Sequence, residues 1–392
     1  MASKVKTQEI AVFGESGSGK TVLLSSFYGA TQEPSFGADS SYRLIADDTT
    51  QSAMLRQNYL RMRNEAQTPP TTHFDSKSYS FTIKPKASSD PLAAKAARKH
   101  SFSALRLIWH DYPGEWFTEE PGTDQEARRK VDTFRRLLKS DVAMVLVDGQ
   151  KLIEYSGEED KYLKSLFWGI RGGLAKLKDD ILGETGPLAR FPRIWVVALS
   201  KADLHPNLDV QGFKDLVIQK AAGELAALHD TLAEFVEEPR ALSIGEDFIL
   251  LSSARFEPGR IEVTKRVGLD LILPVATMLP LERVAQWADK FNAPLQLLGG
   301  LVGRADDIAK MLTVTVAPVL GKILAKVPKV GRVVAPLAAT LLPFAVQLGT
   351  DKLKEIHETA VADKDYLTAT VAQFRLDLDR GVEERVLVKS PW

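Results

Sequence analysis

Gly14-Glu15-Ser16-Gly17-Ser18-Gly19-Lys20-Thr21 constrains this chain more than any other stretch. It fits the spacing G-x-x-x-x-G-K-[ST], and its flanks fit as well. Glu9-Ile10-Ala11-Val12-Phe13 reads as a buried strand, and Val22-Leu23-Leu24-Ser25-Ser26-Phe27-Tyr28 as the first turns of a helix. A glycine loop between strand and helix lets backbone N–H groups turn inward, and the helix N-terminus adds the positive end of its dipole. Such a loop holds a phosphate chain. Gly14, Ser16, Gly17, Ser18, Gly19, Lys20, Thr21 and Val22 are its expected contacts. Lys20 reaches the terminal phosphates, and the Thr21 hydroxyl is a ligand for Mg²⁺.

Composition narrows the rest by exclusion. With 392 residues the chain can hold one large domain and a smaller one. Lys+Arg and Asp+Glu are both 51, so the net charge is zero and no nucleic-acid partner is expected from charge. There are no cysteines, which removes disulfides, thiolate chemistry and cysteine-based metal sites. The N-terminal residues lack the apolar core of a signal peptide, so a cytoplasmic protein is expected.

Along the chain, Gly37 to Thr50 reads as polar and irregular, and Gln51 to Glu65 as a helix ended by Thr68-Pro69-Pro70. Ser78 to Ile83 alternates polar and apolar residues, the pattern of a half-exposed strand. Lys84 to His100 is a basic, Ala-rich insertion, read as a solvated loop or an anion or partner patch. Leu105 to Asp111 is a strand that runs into Tyr112-Pro113-Gly114-Glu115-Trp116. Asp-x-x-Gly at a strand end, following a phosphate loop, suits a γ-phosphate sensor: Asp111 holds the Mg²⁺ shell and the Gly114 N–H meets the phosphate. A charged helix (124–138), an apolar strand (142–147) ending at Asp148-Gly149, and a helix (158–182) come next. Ile194 to Leu199 is a strand that ends in Ser200-Lys201-Ala202-Asp203. In this relaxed [NT]KxD pattern Asp203 accepts from guanine N1–H and the 2-amino group, donors that adenine does not present as a pair. The Lys201 stem packs over the base. After a helix (210–236), the strand Phe248 to Leu251 leads to Ser252-Ser253-Ala254, where Ser253 and Ala254 are expected to close in the base. Buried strands alternating with helices predict an α/β fold with a mainly parallel sheet covered on both faces, its ligand loops at the C-terminal strand ends.

These ordered motifs resemble the TRAFAC-class P-loop GTPases. Within them, Asp111 to Trp116 and Ser200 to Asp203 resemble the bacterial YcjX-like GTPases and the GTPase-like proteins of bacterial conflict systems. The resemblance covers about Glu9 to Leu281 and implies a Ras-like G domain that binds GTP or GDP with Mg²⁺. By position it implies that Lys20 binds phosphate, that Thr21 and the Asp111 shell hold the metal, and that Lys201 and Asp203 read guanine. It also implies a switch threonine covering the metal and the γ-phosphate, for which Thr71 and Thr72 are the candidates and Thr72 the preferred one. Glu115 departs from the pattern, since many such proteins carry Gln or His there. It either accepts a proton from the attacking water or marks slow hydrolysis that needs a partner. Arg128, Arg129, Arg135 and Arg136 are either a source of a catalytic arginine or a solvated helix face.

Composition shifts after about Leu281, so a G domain is expected over 1–285, with the 84–100 insertion, and an α-helical region over 286–392. The stretch 291–350 is poor in charge, and Val333 to Thr350 has none. Three readings compete: a helical core or homo-oligomer interface, an interfacial membrane contact, or a transmembrane span, which Pro336 and Pro343 disfavour. Asp351 to Arg385 reads as a helix or pair that packs back. The expected function is a GTP-hydrolysing switch acting through the helical region on an unidentified protein partner. The alternatives are a nucleotide-gated scaffold with little hydrolysis and a membrane-remodelling GTPase, peripheral rather than cytosolic.

Overall fold

The computed structural model describes residues 5–70, 77–86, 104–111, 123–183, 186–188, 194–280, 282–283, 349–363 and 365–390. The apolar runs become the strands β1 (Val5–Phe13), β4 (Ala104–Asp111), β5 (Val142–Asp148), β6 (Ile194–Ser200) and β7 (Ser243–Leu250). All five are mutually parallel: β1 lies between β4 and β5, and β6 lies between β5 and β7. The alternating stretch becomes β3 (Lys77–Pro85), antiparallel to β4, with Tyr79, Phe81 and Ile83 turned into the core. Two further strands were not legible. β2 (Tyr42–Ala46) pairs with the outer edge of β3, and β10 (Leu387–Val388) pairs antiparallel with β7. Among the described residues the sheet therefore runs β10-β7-β6-β5-β1-β4-β3-β2.

Two apolar layers cover this sheet because its central strands are apolar on both faces. On one face Ile10, Val12, Leu107 and Trp109 meet α1 (Lys20–Thr31) and α3 (Thr49–Glu65). On the other Ala11, Phe13, Val145 and Trp195 meet α4 (Asp124–Leu137), α6 (Glu159–Lys176) and α8 (Val210–Ala233). The caps follow sequence rules: Asp48 accepts from the N–H groups of Thr50 and Gln51 to start α3, and Thr123 accepts from Glu126 N–H to start α4.

Several expectations need correction. The stretch 37–50 is not irregular: after the short α2 (Pro34–Asp39) it holds β2, whose sole fully buried side chain is Leu44, so no alternation was strong enough to show. The single helix over 158–182 is two, α6 and α7 (Lys178–Leu182), broken at Leu177. A short α5 (Gly149–Glu154) precedes them. The helix from 210 stops at Ala233 and departs from helical geometry at Ala221. β7 begins at Ser243, five residues before the expected start, because its first half is polar.

α1 is buried almost all round, and its approach to α3 depends on one residue. A Cβ on Gly29 would lie 2.1 Å from Cγ of Tyr59, a ring only 3% exposed and unable to swing out. Gly29→Ala is therefore expected to destabilise by about 1–3 kcal/mol through overpacking. A thermal melt with no fall in Tm would show that this contact yields freely.

The C-terminal part packs back as a helix pair, α10 (Thr350–Ala362) and α11 (Tyr366–Glu383). Leu367, Val371, Phe374 and Leu378 of α11 share one core with Ile10, Val12 and Ile249, so residues 365–388 belong to the same packed body as the strands. The turn Leu269–Leu271 and α9 (Ile272–Thr277) lie in that layer too. A buried ionic cluster fastens its edge. Arg283 donates to Asp247 at 2.7 and 3.0 Å, Ser390 N–H donates to Asp247 at 2.9 Å, and Arg375 lies 3.3 Å from Glu282. Burial pushes the Asp247 carboxyl above its ordinary range, with the Arg283 guanidinium opposing. Of the charge-poor stretch 291–350, all but Gly349 and Thr350 lies outside the described residues, as does the 84–100 insertion beyond Lys86. Among the described residues no helix is long and apolar enough to cross a membrane.

Candidate functional site

The glycine loop, the end of β4, the end of β6 and the end of β7 all open at the C-terminal edge of the parallel strands, and they line one cavity of about 400 Å³. That volume lies in the ordinary range for a small-molecule site. The loop has the backbone that its glycines permit: Gly17 and Gly19 sit at φ 81° and 90°, in the left-handed region. Gly14 is required for a different reason, since a Cβ there would fall 2.7 Å from the Ser18 hydroxyl. The Lys20 ammonium donates to the carbonyls of Gly14 (2.7 Å) and Glu15 (3.0 Å), so it is held over the loop.

The other end of the site is built by two strand ends. Lys201 adopts a left-handed φ of 54°, which turns the chain so that Asp203 faces the cavity. Oδ1 of Asp203 accepts from the Ser252 hydroxyl at 2.6 Å, and Oδ2 accepts from Phe256 N–H at 3.3 Å. The Ser252 oxygen is also 2.6 Å from the Ala254 carbonyl, so one proton serves two acceptors. A carboxylate has about four lone-pair sites, so each oxygen of Asp203 keeps capacity for another donor. Lys201 donates from Nζ to Asp148 at 2.8 Å. Asp148 is 3% exposed and also accepts from Gln150 N–H, capping α5.

A cavity that combines a phosphate loop, an acidic strand end and an acceptor pair suits a nucleotide. The family model for Double-GTPase 2 matches residues 8–236, more than half of the chain. The chain belongs to the Double-GTPase 2 family. The matched span includes the glycine loop, Asp111 and Ser200 to Asp203, and family membership supports guanine-nucleotide binding here. No curated protein matches the chain. Among solved structures, one described as nucleolar GTP-binding protein 1 of Plasmodium falciparum is 13% identical, covers 75% of this chain and 95% of its own, and has a TM-score of 0.33. A bacterial dynamin pair, described as sensing and tethering membranes over long range, is 13% identical with a TM-score of 0.25. The match covers 96% of this chain and 65% of that protein. At these scores neither carries information on activity.

In this Double-GTPase 2 chain the cavity is lined by Ser16, Gly17, Ser18, Gly19, Lys20, Thr21 and Val22 from the loop, and by Asp111, Ser200, Lys201, Asp203 and Ser253. Gly14 lies behind the lining, beneath Ser18. Ala254 is fully buried and packs with Tyr59, Met62 and Ile261 instead. Thr71, Thr72, Gly114 and Glu115 lie outside the described residues, although Thr68, Pro69 and Pro70, immediately before the two threonines, line the cavity. The arginines of α4 do not line it. Arg135 donates to the Ile181 carbonyl at 3.1 Å, which ties α4 to α7, and Arg136 to the Asp132 carbonyl at 3.3 Å within α4.

Three residues of the site were missed. Ser252 holds Asp203, a role that the sequence reading did not assign to any residue. Phe256, in the hairpin of β8 (Arg255–Glu257) and β9 (Arg260–Glu262), had no signal at all. Asp148 was visible as the abrupt polar end of an apolar strand, but its pairing with Lys201 was not. Mg²⁺ prefers hard oxygen ligands shared with phosphates and water. The Thr21 hydroxyl and the Asp111 carboxylate, both bordering the cavity beside Lys20, are a donor set that fits it.

Proposed function

We propose that this Double-GTPase 2 chain is a Mg²⁺-dependent GTPase that cleaves GTP to GDP and phosphate and acts as a conformational switch. The observation that carries the reading is that Asp203, held by Ser252 and Phe256, shares a cavity with Lys20 on the glycine loop. Asp203 takes the two guanine donors. Lys20 exchanges two carbonyls for phosphate oxygens. Thr21 and the Asp111 shell would hold a bound Mg²⁺, which would supply charge neutralisation to the phosphates. Water attacks the γ-phosphorus in line as the bond to the β–γ bridging oxygen breaks. Gly114, Glu115 and Thr72 are assigned to the γ-phosphate side. The switch output is assigned to the C-terminal part, because α11 meets the strands that lead to that side: Ser41 and Thr370 hydroxyls are 2.9 Å apart, and the Tyr42 and Phe374 rings pack edge to face at 5.4 Å.

The test is equilibrium binding and single-turnover hydrolysis with the full chain. Expected are binding of GTP over ATP, cleavage that EDTA stops, and GTP binding at least ~100-fold weaker for Lys20→Ala. Equal affinity for ATP sinks the guanine assignment. Cleavage at the rate of free GTP, with binding intact, favours the scaffold instead.

A further inference from the structure

Next to the glycine loop lies a chain of polar contacts that the nucleotide contacts do not explain. Glu15 belongs to the glycine loop and directly precedes the cavity-lining Ser16, but its carboxylate is turned to Lys151 and not into the cavity. Its Oε2 is 2.6 Å from the Lys151 ammonium, on α5. The same ammonium lies 5.5 Å from the centroid of the Tyr162 ring. The Tyr162 hydroxyl accepts from Asp148 N–H at 2.8 Å, and Asp148 accepts from Lys201. Burial holds the Tyr162 phenol well above its ordinary range, with the Glu15 charge adding to it, so the ring stays neutral beside the ammonium. A cation held both by a carboxylate and over an aromatic face is tied in place. The links run from the phosphate loop through Glu15, Lys151, Tyr162 and Asp148 to Lys201, two positions before Asp203.

We infer that Lys151 is a positioning residue for the nucleotide: it neutralises Glu15 so that a carboxylate-bearing loop accepts a polyphosphate, and it braces that loop against the guanine end. The inference rests on the guanine-nucleotide reading above. Repulsion between the uncompensated Glu15 carboxylate and the nucleotide scales with the charge on the phosphates, so the effect grows with phosphate count, which a packing role does not predict. Lys151→Met is expected to weaken GTP binding by about tenfold, GDP less, and GMP by less than about twofold. The loss should shrink as salt rises. Adding Glu15→Gln to Lys151→Met should bring GTP affinity back within about threefold of the wild type, and Lys151→Arg should retain it.

The experiment is a titration of GTP, GDP and GMP into the full chain and these variants at low and high salt, with a thermal melt of each. Equal losses for all three nucleotides, no loss for GTP, or no recovery in the double variant would each overturn the inference. If Lys151→Met does not fold, the double variant decides: recovery of both fold and graded affinity supports the charge role, and recovery of neither refutes it. A wild-type chain that binds no GTP overturns the guanine reading itself, which separates the two failures.

Discussion

Asp203→Asn is expected to exchange guanine for xanthine. Guanine offers two donors, N1–H and the 2-amino group, to a carboxylate that can only accept. The asparagine amide keeps one acceptor and replaces the other with an NH₂, which then faces the 2-amino group donor to donor. Xanthine carries a carbonyl at that position, so its edge complements the amide. Ser252 and the Phe256 N–H, at 2.6 and 3.3 Å from the carboxylate oxygens, fix the plane of the group, so the substituted amide has little freedom to escape the mismatch. GTP affinity should fall by roughly 10²–10³-fold, from loss of charge-assisted bonds and burial of an unmatched donor. Affinity for XTP should rise above that for GTP. Titration of both nucleotides checks this, and an unchanged guanine preference would remove Asp203 from the base site.

Asp247→Ala is expected to be the most damaging single change to stability. Asp247 is fully buried and the Arg283 side chain is 6% exposed, so removing the carboxylate leaves a guanidinium in the interior with its main partner gone. It also removes the acceptor of Ser390 N–H. Breaking such a buried pair costs about 3–5 kcal/mol, which for a chain of 392 residues corresponds to a Tm lower by roughly 4–6 °C. Replacing both members with apolar residues, as in Asp247→Leu with Arg283→Met, should recover much of the loss, because the cost lies in a buried guanidinium left with the half-exposed Glu246 at 3.5 Å and not in the missing pair. Urea unfolding of the two variants separates these cases. Equal destabilisation by both would refute that account.

The parts legible in the sequence are those where one physical requirement acts on consecutive residues. β5 and β6 are buried at every position, so their apolar runs announced them. The glycine loop was legible because three glycines and a lysine answer to one geometry. What stayed hidden depends on partners distant in the chain. β2 is an edge strand with one buried side chain, and β10 has two residues whose pairing with β7 no local pattern encodes. Asp247 read as one more charge until Arg283 and Ser390 were placed beside it. The role of Ser252 depends on where Asp203 lies, 49 positions earlier.

β10 has a bearing on how the protein is made. Leu387 pairs with Ile249, and Leu250 N–H bonds to the Val386 carbonyl, so one edge of β7 is completed by residues synthesised much later. At ordinary translation speeds that interval is roughly 10–30 s. Throughout it the nascent chain presents an unpaired strand edge next to the loop that holds Asp203, the kind of edge that recruits other chains. Until residues 386–388 arrive this seam stays open, and crowding or a stalled ribosome during that interval would act on the seam before it acts on the nucleotide loop, which lies in the first strands made.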